Sequence, residues 1–82
     1  MNTQLVFDTI RATIARELEL DLASLRDDVS LRREYGLDSV AAVNIIFHLE
    51  DALQVDIDVA MLARVDSINE LKAVVAKILS SA

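Results

Sequence analysis

The residues Gly36-Leu37-Asp38-Ser39-Val40 set a hydroxyl and a carboxylate side by side, where a glycine-hinged segment turns into an apolar, helix-forming run. A serine at such a junction is exposed to an approaching enzyme. A phosphodiester formed on it would lie beside free backbone N–H groups, at the positive end of the helix dipole. The adjacent Asp38 adds a carboxylate able to help hold a divalent cation in a modifying enzyme's site. On chemistry alone the pair also reads as an ordinary helix cap, the commonest role of Ser or Asp ahead of an apolar helix.

Other chemistry is poorly supplied. There is no cysteine, and the single histidine, His48, has no second His or suitably spaced acid to share a metal with. Asp56 and Asp58 lack the glycine and the distal glutamate of a calcium loop. Ser39 has no His–acid partnership in view, so no catalytic residue is assigned. Met61 reads as core filling. Arg32-Arg33 reads as a solvated basic pair, able to steer a phosphate-bearing partner.

The scaffold that must position Ser39 is small. Eighty-two residues form a single domain over 1–82, and the 54% hydrophobic content comes from Leu, Ile, Val and Ala rather than aromatics. Glycine occurs once and proline never, which disfavours strand-and-turn architectures and points to an all-α fold. The net charge of −6 argues against nucleic acid and for basic partners. No apolar run approaches the ~20 residues of a membrane span. The start, Met1-Asn2-Thr3-Gln4, shows no secretory signal, so the cytoplasm is the default expectation; a monomer is expected.

Four helical segments separate by pattern. Val6, Ile10, Ile14 and Leu18 step by four along the first, with Thr3 as its expected cap. From Leu20 to Asp38 the period fades into a long ordered loop pinned by Leu22, Leu25, Val29 and Leu31, and such loops are usually functional. The loop ends near Gly36, where a positive φ is expected. The next helix, Ser39 to about Leu53, is apolar nearly all round, so it is central or turns a second face to a partner. Val59, Met61 and Leu62 suggest a short helical turn within 58–64. In the last helix Ser67 and Glu70 fit a capping box, with Ile68, Leu71, Val74, Val75, Ile78 and Leu79 on one face. The acid is concentrated mid-chain: residues 39–66 carry five acids and one base.

In this order the segments resemble the acyl carrier protein family. Gly36-Leu37-Asp38-Ser39-Val40 matches that family's Asp-Ser motif at the start of the second helix, with Leu31 and Glu34 at its apolar and acidic positions upstream. Val43, Ile45, Ile46, Leu49 and Leu53 stand at its core positions, Glu50 and Asp51 in its acidic cluster. Val55-Asp56-Ile57 and Val65-Asp66-Ser67-Ile68 resemble the exit from the second helix and the start of the fourth. The resemblance implies a four-helix bundle with a long first loop and a short third helix. It also implies 4′-phosphopantetheine attached at Ser39 by a holo-synthase (a phosphopantetheinyl transferase), recognition of Asp38 by that enzyme, and thioester cargo exchanged with acyl or aminoacyl ligases and synthases. Partner contacts are expected at Val40, Asn44, Phe47, Glu50 and Asp51.

The chain departs from the housekeeping pattern in a consistent direction. Fatty-acid carriers of the family place acids two and five residues after the serine, where this chain has Ala41 and Asn44. Asp58 replaces the proline common before the third helix, and Val59, Ala60, Met61 and Ala63 replace its acids. These departures imply a specialised fatty-acid, polyketide or related carrier. Two alternatives stay open: an aminoacyl or peptidyl carrier, and an unmodified helical interaction module in which Ser39 is only a cap.

Overall fold

The computed structural model describes residues 2–80, with the Leu62 side chain and Met1 outside the described residues. Every regular element among them is helical: α1 (Thr3–Glu17), α2 (Leu31–Tyr35), α3 (Ser39–Leu53) and α4 (Ile68–Ser80), with 3-10 turns at Leu22–Ser24 and Val59–Ala63. The four-step spacing in α1 does what it predicts, because Val6, Ile10 and Ile14 are buried against α3 and α4. Leu18 is only partly buried. The cap of α1 is Asn2 rather than Thr3: the Asn2 Oδ1 accepts from the N–H groups of Gln4 (2.8 Å) and Leu5 (3.4 Å).

The long loop contains more structure than its sequence pattern shows. Leu25 and Leu31 do pin it to the core, but it also carries the first 3-10 turn and the five-residue α2. Gly36 ends α2 at φ +69°, donating its N–H to Arg32 C=O at 3.2 Å. A Cβ at this position would meet nothing within 4 Å, so the requirement for glycine is one of backbone angle alone. Gly36→Ala should therefore cost about 1 kcal/mol, read as a lower urea midpoint at constant slope, and Gly36→Asn less.

Two aspartates fasten this loop to the bundle. Asp27 pairs through one oxygen with Arg11 of α1 and through the other with Lys72 of α4, the second contact at 2.6 Å. The ammonium of Lys72 also lies 5.0 Å over the Phe7 ring. Asp66, ahead of α4, accepts from the Ser30 hydroxyl, the Arg32 N–H (3.2 Å) and the Arg32 guanidinium (3.1 Å). Arg32 thus belongs to this junction and is not a simply solvated partner of Arg33. The Ser67 hydroxyl caps α4 by accepting from Glu70 N–H, while the Glu70 carboxylate reaches Asp66 N–H, one residue earlier than a capping box predicts.

The Ser30 hydroxyl above all, then the Arg32 N–H and guanidinium, hold the Asp66 carboxyl below its ordinary value of 3.8, and partial burial opposes them. A depressed carboxyl stabilises the fold above its unfolded pKa and loses that contribution as pH falls through the folded one. The stability difference between wild type and Asp66→Asn should therefore be constant near neutrality. It should shrink as urea unfolding is repeated below about pH 3.8.

The buried face of α3 is Ala42, Ile45, Ile46, Leu49 and Leu53. Val43, expected in the core, is only half-buried at its edge. Met61 is 36% exposed rather than core filling, because a five-residue 3-10 turn cannot direct all its apolar side chains inward. Asp58 caps this turn, accepting from Ala60 N–H at 2.9 Å.

Candidate functional site

Asp38, and not Ser39, is the cap of α3. Its Oδ1 accepts from Ala41 N–H at 2.8 Å, and its carbonyl accepts from Ala42 N–H at 3.0 Å. Ser39 is thereby released from the capping role and becomes the first residue of a fifteen-residue helix. Its side chain is exposed, and its hydroxyl has no hydrogen-bond partner among the described residues. The N–H groups of Ser39 and Val40 likewise have no acceptor there, as the first turn of a helix requires. An anionic ester on the Ser39 oxygen would find these donors and the helix dipole beside it, so the junction fits a phosphate-linked group.

Ser39 differs in this from three other serines. Ser30 and Ser67 cap helices, and the Ser80 hydroxyl donates to Lys77 C=O at 3.0 Å. Ser24 lies within the first 3-10 turn.

Beyond Ser39, α3 turns an apolar stripe outward. Val40 is 69% exposed and Phe47 56%. At about 100° per residue these two and Asp51 fall within about 40° of one another, opposite the buried face. Phe47, Glu50, Asp51, Val55 and Asp56 border an open groove of about 470 Å³ at the end of the helix. Asn44 and Glu50 also have internal tasks. Asn44 Nδ2 donates to Glu17 Oε1 at 2.9 Å, and Glu50 accepts from Ile57 N–H at 3.0 Å, fastening the exit of α3. Asp56, absent from the expected contact set, shares the groove; its place after the helix exit was visible in sequence, its direction was not.

Behind Ser39, an apolar cavity of about 20 Å³ lies between α1, α3, α4 and the loop, walled by Ile14, Leu31, Leu37, Ala42, Ile46 and Leu71. That is room for about one water-sized body. No group of three or more His, Cys, Asp and Glu side chains able to hold a metal is found among the described residues, and no described helix is long and apolar enough to cross a membrane.

A family model described as the phosphopantetheine attachment site matches residues 8–75, which include the Gly36–Val40 junction and all of α3. The chain is similar to Acyl carrier protein 3 of Ralstonia nicotianae, with 32% identity over 81 residues, 99% of this chain and 93% of that one. It is 30% identical over 67 residues to the acyl carrier protein of Onion yellows phytoplasma, covering 82% of this chain and 88% of the relative. A third similarity, 26% over 57 residues and 70% of each chain, is to the acyl carrier protein of Guillardia theta. With the family's match over most of its length and its helical fold, this chain belongs to the acyl carrier protein family, the non-catalytic carriers that bear a covalently attached 4′-phosphopantetheine and present it to transferase and synthase enzymes.

Proposed function

We propose that residues 1–82 act as a single carrier domain whose arm is attached at Ser39, and that it serves a dedicated fatty-acid, polyketide or related pathway. The observation that carries the attachment is the division of labour at 38–39. Asp38 does the capping, which leaves Ser39 as an exposed hydroxyl without a partner among the described residues, beside two free N–H donors. When bound, the arm supplies a thiol that holds acyl cargo as a thioester. The chain's own residues supply the anchor, the rigid helix behind it and the docking face. A long alkyl chain would have to widen the cavity behind Ser39 by repacking its aliphatic walls, since the existing space is close to one water in size. The cytoplasm is the expected compartment, because the donor of the arm, coenzyme A, is an intracellular metabolite.

The specialist reading rests on the composition of the docking face. Val40 and Phe47 make it apolar, Ala41 and Asn44 supply no acid in the turns after Ser39, and beyond the capping Asp38 the acids Glu50, Asp51 and Asp56 lie at its far end. Exposed ion pairs contribute mainly steering and discrimination. A general fatty-acid ketosynthase should therefore use the loaded carrier with a kcat/KM about tenfold or more below that of enzymes from its own gene neighbourhood. Equal values for the two would overturn the specialist reading and leave the carrier reading standing.

A further inference from the structure

Between Asp38 and Glu50 helix α3 has no acidic residue, yet the structure brings a carboxylate to its flank. Glu17, the last residue of α1, lies against α3 with its side chain 22% exposed. Its Oε1 accepts from Asn44 Nδ2 at 2.9 Å, and its Oε2 lies 3.9 Å from His48 Nε2, too far for a hydrogen bond. Asn44 and His48 are one turn apart and share a face. Asn44 lies within about 60° of the Val40–Phe47–Asp51 stripe.

The fold does not need the charge on Glu17. An acid in the final turn of a helix faces the negative end of the dipole, a local cost. The hydrogen bond from Asn44 would also be accepted by a neutral amide oxygen at position 17, more weakly, a loss that relief of the dipole cost offsets. Asn44 fixes the carboxylate without neutralising it, and the exposed His48 stands where a cation from outside would stand. A charge that is held in place, carried at a cost to its own helix and set against the flank of the exposed α3 stripe suits recognition of a basic group by a chain of net charge −6.

We propose that Glu17, positioned by Asn44, is a docking residue that pairs with a lysine or arginine of the enzyme approaching Ser39. The proposal rests on the reading that Ser39 carries the arm. It makes α1 a contributor to the recognition face and gives Asn44 the role of positioning a borrowed acid.

The test uses a broad-specificity phosphopantetheinyl transferase with coenzyme A and magnesium. Glu17→Gln keeps the acceptor and removes the charge, so urea stability should stay within about 1 kcal/mol of wild type while KM for the carrier rises about fivefold at low salt, with kcat unchanged. The double variant Glu17→Gln/Asn44→Asp returns one negative charge to the same spot from α3 itself. It should recover kcat/KM to within about twofold of wild type. An unchanged KM in Glu17→Gln, or a loss that the double variant does not restore, would overturn the proposal. Calorimetric Kd values of Ser39→Ala and Ser39→Ala/Glu17→Gln for the same transferase decide it independently of modification: a several-fold weaker Kd in the double variant supports it, equal values refute it. Absence of any arm on wild type would refute the Ser39 reading alone.

Discussion

Asp38→Asn leaves the fold intact and slows transfer of the arm on the order of 10–100-fold, the size expected when a charge-assisted contact worth ~1.5–3 kcal/mol is lost. Asn is as good a helix cap as Asp, so the bond from Ala41 N–H to the side chain at 38 survives the change. What disappears is the carboxylate charge, exposed beside the Ser39 hydroxyl and available to a divalent cation in the transferase. Asp38→Ala removes the cap as well and should cost about 1 kcal/mol of stability in addition. Comparing transfer rates and urea midpoints of the two variants separates recognition from architecture. An Asn variant modified at the wild-type rate would reduce Asp38 to a cap.

The largest effect on folding should come from Asp27. Asp27→Ala is expected to cost about 3 kcal/mol, because it removes two charge-assisted contacts and leaves the half-buried Arg11 and Lys72 facing each other without their shared acid. For a chain of this size the total is on the order of 5–10 kcal/mol, so the loss is a large share of it. Asp27→Asn should cost less, since an acceptor oxygen remains and only the charge is lost. Arg11 also donates to the carbonyls of Leu22 (3.2 Å) and Leu25 (3.3 Å), so the loop on either side of the first 3-10 turn should loosen with the aspartate. Amide exchange at Leu25 and Asn69, whose own N–H donates to Asp27 C=O at 3.0 Å, should rise more than exchange in α3. A loss below about 0.5 kcal/mol would place Asp27 among ordinary surface ion pairs.

How far the sequence carried the structure depends on the range of the interaction. Helical spacing located α1, α3 and α4, because burial of Val6, Ile10 and Ile14, or of Ile45, Ile46 and Leu49, is dictated by residues within two turns of one another. The lone glycine correctly marked a positive φ. The Asn2 cap was missed in favour of Thr3, since both types cap and they are adjacent. Helix α2 was missed because five residues make too short a period to stand out, and because what holds it is distant: Ser30 and Arg32 reach Asp66, more than thirty positions away. For the same reason Asn44 looked like a free contact residue. Its partner, Glu17, is twenty-seven positions upstream and meets it only when α1 packs on α3. Within the candidate site, the Asp-Ser junction was legible as chemistry, but the split between a capping Asp38 and a Ser39 left free for the proposed attachment needed the backbone.

That split is open to one direct measurement. The protein is incubated with coenzyme A, magnesium and a broad-specificity transferase, its intact mass is taken, and the modified position is located by peptide fragmentation, for wild type and Ser39→Ala. Wild type should gain the mass of one phosphopantetheine on the peptide containing Ser39, and Ser39→Ala should gain none while unfolding at the wild-type urea midpoint. No gain on wild type, or an undiminished gain on Ser39→Ala, would contradict attachment at Ser39.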